Sequence, residues 1–132
     1  MRIPMALSNT TMLAIKEYKK VKYPDIKVTY GYLVKKAFNE IAEDLNIISW
    51  EAVNQYERNF LNSVTEKNNG YSTRQKTTLN IEEAIIEELY KLRENFKTIF
   101  CSQRIYLPFV LKLIFLAAIM KMNGVLPTLN NQ

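Results

Sequence analysis

The sequence contains the stretch RIPMALS at residues 2–8 and the stretch RQKTTLN at residues 74–80, and each precedes two helical patterns separated by a turn. Leu7 aligns with Leu79 at an offset of about 72 residues. Thr29 aligns with Ser102 at an offset of about 73 residues. At an offset of about 74, Met12, Ile15 and Tyr18 align with Ile86, Leu89 and Leu92. One strand and two helices cannot bury their own apolar face. We therefore predict an internal dimer, in which two copies fold against each other.

The composition favours a binding protein over an enzyme. The chain has 132 residues with 18 Lys and Arg against 13 Asp and Glu, a net charge of +5, which favours a polyanionic partner, with nucleic acid ahead of a membrane surface. It has no His and one Cys, which excludes the usual zinc sites and Ser-His-Asp or Cys-His catalysis. Three glycines leave no phosphate-binding loop. We predict no catalytic residue, no metal and no cofactor.

The sequence predicts a soluble cytoplasmic protein. Cys101 is the single cysteine, so no intramolecular disulfide forms, and a reducing compartment fits best. The first residues include no apolar signal-peptide region. Residues 105–120 are strongly apolar, but they contain Pro108 and Lys112 and are shorter than the roughly 20 residues that span a bilayer. We interpret them as a buried helix and expect no membrane partner.

Residues 1–46 form the first predicted half. Alternation over residues 2–7 predicts a strand with Ile3, Met5 and Leu7 on one face and Arg2, Pro4 and Ala6 on the other. Ser8 or Asn9 caps the first helix, and Thr29 caps a second helix that ends near residue 45.

Residues 47–72 form a predicted insert, which consists of a helix from about Trp50 to Val64 and then a linker. The helix is expected to pack on the body through one apolar face, formed by Trp50, Val53, Tyr56, Phe60 and Leu61.

Residues 73–132 form the second predicted half. A strand over residues 73–79 precedes a helix capped by Asn80, and Ser102 caps a last helix that ends near Met122. This last helix is much more apolar than its counterpart, which places it at the centre of the core or over the insert. Residues 128–132 are expected to be frayed. The predicted fold class is mainly α with a small two-stranded antiparallel β-ribbon, formed by two halves that pack as one domain around one inserted helix.

This order of elements resembles the ribbon-helix-helix family of DNA-binding proteins. The resemblance is carried by residues 2–8 and 74–79 and by the predicted caps Thr29 and Ser102, and it covers most of residues 2–45 and 73–122. It implies that the two strands pair as a ribbon in the major groove, where outward side chains contact base edges. It also implies that the start of each second helix binds a phosphate. A chain with both halves is similar to the fused members of the family, such as plasmid transfer-origin accessory proteins.

Candidate site residues come from the strand pattern and from the resemblance. The expected base contacts are Arg2, Arg74, Lys76 and Thr78, and the expected phosphate contacts are Thr29, Tyr30, Ser102, Gln103 and Arg104. Arg74, Lys76 and Thr78 share one strand face, whereas Pro4 and Ala6 occupy the corresponding places in the first strand. The second strand is therefore expected to supply most of the specificity. The alternatives are an ordinary solvated strand face and helix caps that never meet DNA.

The expected function is sequence-specific binding of double-stranded DNA without catalysis, as a plasmid relaxosome accessory factor or a transcriptional repressor. A relaxase or another protein is the expected protein partner, and cooperative self-association along DNA is also expected. Two other hypotheses stay open. One is a helical interaction adaptor that docks a partner on the insert and the apolar last helix. The other is a winged-helix or helix-turn-helix DNA binder in which residues 29–45 form the recognition helix.

Overall fold

The computed structural model describes residues 1–56 and 75–129. Within these ranges the protein is mainly helical, with one two-stranded antiparallel sheet, as the sequence predicts. The elements in chain order are β1 (Arg2–Leu7), α1 (Asn9–Lys22), α2 (Tyr30–Ile41) with a 3-10 turn (Ala42–Asp44), a helical segment over residues 50–56 (α3), β2 (Gln75–Asn80), α4 (Glu83–Ile99) and α5 (Leu107–Met122).

The two strands form a ribbon with one inward and one outward face. β1 and β2 run antiparallel, and Met5 lies opposite Thr77. Directly opposed residues share a face, so the register turns Ile3, Met5 and Leu7 towards the protein body together with Thr77 and Leu79. Leu7 and Leu79 are buried, whereas Pro4 and Thr78 are exposed. The predicted alternation and the antiparallel pairing are both confirmed.

Two of the predicted helix caps are confirmed by hydrogen bonds. Ser8 Oγ accepts a hydrogen bond from Thr11 N over 3.2 Å at the start of α1. Thr29 Oγ1 accepts one from Tyr32 N, also over 3.2 Å, at the start of α2. In each case the hydroxyl satisfies a first-turn N–H group that has no partner within the helix. α2 ends at Ile41 and tightens into the 3-10 turn, rather than continuing to residue 45.

The other two predicted caps, Asn80 and Ser102, are wrong. β2 extends through Asn80, and Glu82 occupies the cap position of α4. Ser102 Oγ accepts a hydrogen bond from Arg104 N within a loop, and α5 begins only at Leu107. A helix starting at Ser102 would carry Pro108 in its second turn, where proline lacks the required N–H and its ring clashes with the preceding turn. Beginning at Leu107 places Pro108 in the first turn, where proline is tolerated.

Of the correspondences inferred from the sequence, the one at 74 between the first helices of the two halves is confirmed, whereas those of Leu7 and Thr29 are wrong. α1 begins at residue 9 and α4 at residue 83, an offset of 74, whereas α2 begins at residue 30 and α5 at residue 107, an offset of 77. The loops at 23–29 and 100–106 are equal in length, and the difference arises because α4 has 17 residues and α1 has 14. The counterpart of Leu7 is therefore Ile81 rather than Leu79, and that of Thr29 is Tyr106 rather than Ser102.

Burial follows these offsets through both helices of each half. At 74, the buried residues Thr11, Met12, Ile15 and Tyr18 of α1 match Ile85, Ile86, Leu89 and Leu92 of α4. At 77, the buried residues Leu33, Val34, Ala37, Phe38 and Ile41 of α2 match Val110, Leu111, Ile114, Phe115 and Ala118 of α5. Most core positions therefore coincide in the two copies; the exceptions among the buried residues of α1 and α2 are Ala14 and Gly31, whose counterparts Glu88 and Pro108 are only half-buried.

α5 is the central helix of the core, as its composition predicts. It packs against α1, α2, α4 and β1. It is buried nearly all round, from Val110 to Met120 apart from Lys112. The ring of Tyr18 meets that of Phe115 edge to face at 5.5 Å, and burial raises the pKa of Tyr18 far above its ordinary value. Among the described residues, no helix is both long enough and apolar enough to cross a membrane.

The described part of the insert packs on the second half. Trp50 and Val53 are buried, and the Trp50 ring meets Phe96 of α4 edge to face at 4.9 Å. This confirms the predicted packing of α3 for residues 50–56, whereas Phe60, Leu61 and the predicted helix end near Val64 lie outside the described residues. The expected fraying is wrong for Thr128, which bridges to Ile48, and for Leu129, whose N–H donates to the Ile47 carbonyl over 2.6 Å.

Candidate nucleic-acid interface

The outward face of the ribbon carries three residues from each strand. β1 contributes Arg2, Pro4 and Ala6, and β2 contributes Lys76, Thr78 and Asn80. The register sets Arg2 opposite Asn80, Pro4 opposite Thr78, and Ala6 opposite Lys76. The structure therefore brings together three of the four predicted base-contacting residues, while Arg74 lies outside the described residues. Neither strand contains an acidic residue, so the face is positive at both ends.

The alignment of the halves changes how the two strands compare. At the offset of 74, Arg2 corresponds to Lys76, Pro4 to Thr78, and Ala6 to Asn80. Each strand therefore begins its outward row with a cation. The strands differ at the second and third places, where β2 has hydrogen-bonding side chains and β1 has apolar ones.

The middle of the outward face is concave and largely apolar. An open pocket of about 390 Å³ lies there, lined by Pro4, Ala6, Lys76 and Thr78 of the outward rows and by Met5 and Thr77, which lie between them in the strands and turn their side chains towards the body. Each outward row spans about 14 Å at 3.4 Å per residue, and the two strands lie about 4.8 Å apart. The major groove of B-DNA is about 12 Å wide and accommodates a two-stranded ribbon. The dimensions of the ribbon therefore match that groove.

The start of α2 lies beside the end of the ribbon formed by Arg2 and Asn80. Gly31, the second residue of α2, is buried against the Asn80 backbone, and a Cβ atom added there would overlap the Asn80 carbonyl group. Thr29 is exposed and Tyr30 is half-buried. Lys35 Nζ donates to Glu82 Oε2 over 2.8 Å, and this hydrogen bond raises the pKa of Lys35. This end therefore combines a helix start with a neutralised ion pair.

The start of α5 lies beside the first turn of α1, at the opposite end of the ribbon. A cavity of about 410 Å³ is lined there by Ser8, Thr10, Thr11, Arg104, Ile105, Tyr106, Pro108, Phe109 and Lys112, none of which is acidic. Pro108 has no N–H, and the Phe109 N–H donates to the Tyr106 carbonyl over 3.0 Å. This helix start therefore offers few backbone donors, and its positive character comes from the Arg104 and Lys112 side chains.

The remaining site predictions have mixed outcomes. Thr29 and Tyr30 flank one end of the ribbon at a helix start, as expected. Ser102 and Gln103 precede α5 by several residues, so their N–H groups are not part of its first turn, whereas Arg104 lines the cavity beside it. Asn80 was not predicted to belong to the outward face. The sequence does indicate it, because Asn80 follows Thr78 by two residues and therefore falls in the same row of the strand. Pro108 was the signal for the late start of α5.

Comparisons with protein-family models, with curated proteins and with solved structures found no match for this chain.

Proposed function

We propose that the protein binds double-stranded DNA sequence-specifically, as a fused ribbon-helix-helix protein whose ribbon enters the major groove. The observation that carries the proposal is the outward face of the ribbon, which has a cation at each end and no carboxylate. Arg and Lys donate to guanine O6 and N7, and Thr donates to or accepts from base edges. Arg2, Lys76 and Thr78 are the proposed base contacts, together with Arg74 from the sequence pattern.

The flanking helix starts support the proposal because they lie at opposite ends of the ribbon. A ribbon in the groove brings the DNA backbone to both ends, where phosphate contacts fix the register without reading sequence. At one end Thr29 and Tyr30 lie at the start of α2, where N–H groups and the helix dipole favour an anion. At the other end Arg104 provides the charge, and Ser102 and Gln103 contribute through their side chains.

The cellular role that we propose comes from the family resemblance. The fused arrangement favours a relaxosome accessory factor on plasmid DNA, with a transcriptional repressor as the second role. The proposed setting is the cytoplasm, with a relaxase as protein partner in the first role and self-association along tandem DNA sites in either. The net charge of +5 is consistent with a polyanionic partner in both roles.

The test is equilibrium binding of the full chain to duplexes selected from a random pool, measured by fluorescence anisotropy at several salt concentrations. Six phosphate contacts would give a log–log salt slope of about −5. Lys76→Ala should weaken binding to the selected site by about 1–3 kcal/mol and relax the preference at the base it contacts. The matched control is Lys91→Ala, because Lys91 is an exposed lysine of α4.

Two results would contradict the proposal. Absence of binding to any duplex at low salt would exclude DNA binding altogether and would favour an interaction adaptor. Loss of binding in Lys35→Ala, with no effect of Lys76→Ala, would instead make α2 the reading element, as in a helix-turn-helix protein.

A further inference from the structure

We infer that the DNA site of this protein is not palindromic, and that in one half it presents a thymine methyl group to Pro4 and Ala6. The inference rests on the proposed function and specifies the chemistry of the target. It is drawn from the unequal ends of the outward face and from the apolar pocket at its centre.

The two ends of the ribbon offer different chemistry. Arg2 and Asn80 lie side by side at one end, where Arg suits guanine and Asn suits adenine. Lys76 and Ala6 lie side by side at the other, where Lys suits guanine and Ala has no hydrogen-bonding group. A palindrome presents the same groups to both ends of a ribbon. These ends therefore select different bases in the two half-sites.

The apolar side chains indicate what the second half-site contains. Pro4 and Ala6 neighbour each other in the outward row of β1, and both line the 390 Å³ pocket together with Thr78. A base donor or acceptor pressed against them would lose its water without gaining a partner. The 5-methyl group of thymine is the apolar group that base pairs present in the major groove, and it is the group that Ala and the Thr methyl contact. The pocket has room for it.

The charged neighbour sets the position of that thymine. Lys76 lies directly opposite Ala6 and also lines the pocket. A guanine bound by Lys76 Nζ therefore lies next to the base that contacts Ala6. The expected half-site at this end holds a guanine and a thymine within one or two base pairs, and the half-site facing Arg2 and Asn80 holds a guanine and an adenine.

The test removes one methyl group at a time from the DNA. Each thymine of the selected duplex is replaced singly by deoxyuridine, and the affinity of the full chain is measured for each duplex. One or two neighbouring thymines, all in one half-site, should each lose about fourfold in affinity, the effect expected for one methyl group. In Pro4→Ala and in Ala6→Gly the same replacement should have a smaller effect. In the Lys91→Ala control it should keep its full size.

Asn80→Ala provides a second, independent measurement. Because Asn80 lies opposite Arg2, this variant and Arg2→Ala should relax the base preference in the same half-site, although the two residues belong to different halves of the chain. The deoxyuridine effect in the other half-site should persist in both variants.

The outcomes separate this inference from the proposed function. Specific binding with no sensitivity to deoxyuridine, or with equal sensitivity at symmetry-related thymines, would overturn the inference and leave DNA binding intact. A deoxyuridine effect of full size in both Pro4→Ala and Ala6→Gly would also overturn it. Absence of binding to every duplex would overturn the proposed function and the inference together.

Discussion

Gly31→Ala probes a close backbone approach between the two halves of the chain. Gly31 belongs to α2 in the first half, and Asn80 ends β2 in the second. An alanine Cβ at residue 31 would overlap the Asn80 carbonyl oxygen and would lie 2.8 Å from the carbonyl carbon, closer than real Cβ contacts come. Since the obstacle is backbone, no change of rotamer removes it, and α2 or β2 must move.

The size of the effect is set by two opposing contributions. Overpacking of a well-packed site, including the backbone shifts that it forces, costs about 1–3 kcal/mol. In the opposite direction, the higher helix propensity of alanine stabilises the helix by up to about 1 kcal/mol relative to glycine, and by less in a first turn. We expect Gly31→Ala to lower the free energy of unfolding by about 2 kcal/mol, which corresponds to a fall in Tm of about 6 °C or more for a chain of this length.

The measurement is urea unfolding followed by far-ultraviolet circular dichroism, with a thermal scan in parallel. Asn39→Ala is the matched control, because Asn39 is an exposed residue of the same helix. Its free energy of unfolding should stay within about 0.5 kcal/mol of the parent value. If Gly31→Ala were as stable as this control, α2 would not pack on β2 as described, and the placement of the α2 start beside the ribbon would fail with it.

Two further predictions concern stability. Ser8→Ala should lower the free energy of unfolding by about 1 kcal/mol because it removes a helix cap, whereas Ser102→Ala should change it by less than about 0.5 kcal/mol; equal losses in urea titrations would contradict the assigned start of α5. Lys121 Nζ donates to Asp44 Oδ2 and to the Glu40 carbonyl, each over 2.7 Å, and its side chain is 37% exposed, so solvent screens the ion pair. Lys121→Met should therefore lower the free energy of unfolding by about 0.5–1 kcal/mol at neutral pH. The hydrogen bond to Asp44 raises the pKa of Lys121 in the folded protein. The stability that Lys121 contributes is therefore complete below the unfolded-state pKa of about 10.4 and disappears as pH rises through the folded-state pKa. A difference in unfolding free energy between parent and variant that grew with pH would contradict the assignment.

Local signals in the sequence were sufficient for the strands and for the caps of the first half. Apolar residues alternate over residues 2–7, and this pattern predicts a strand because a strand turns every second side chain to the same face. Ser8 and Thr29 predict helix caps because each is followed by apolar residues at uninterrupted helical spacing. Ser102 failed as a cap because a capping hydroxyl needs a continuous helix after it, and Pro108 prevents a helix from running through that position. Asn80 failed because the strand extends through it and the Ile81 N–H donates to the Met1 carbonyl, a partner 80 residues away.

The candidate interface was predictable to the extent that it depends on period two. Lys76 and Thr78 share an outward row in the sequence and in the structure. The pairing of Arg2 with Asn80 and of Ala6 with Lys76 depends on the register between distant segments, which one sequence does not specify. The three extra residues of α4 were equally hidden, because Phe96 and Ile99 continue the apolar pattern without a stop signal. The counterpart of Thr29 could therefore be identified only from the observed end of α4 and the observed start of α5.

The ribbon has a consequence for how the protein is made. Its paired residues lie 68 positions apart for Leu7 and Gln75, and 78 apart for Arg2 and Asn80. A ribosome adds about 5–20 residues per second, so β1 waits roughly 4–15 s for its partner strand. Throughout that interval the first half also lacks α5, the helix on which α1 and α2 pack. A chain interrupted before residue 75 therefore leaves an unpaired strand edge and an uncovered apolar face, the two features that make a nascent polypeptide prone to aggregation.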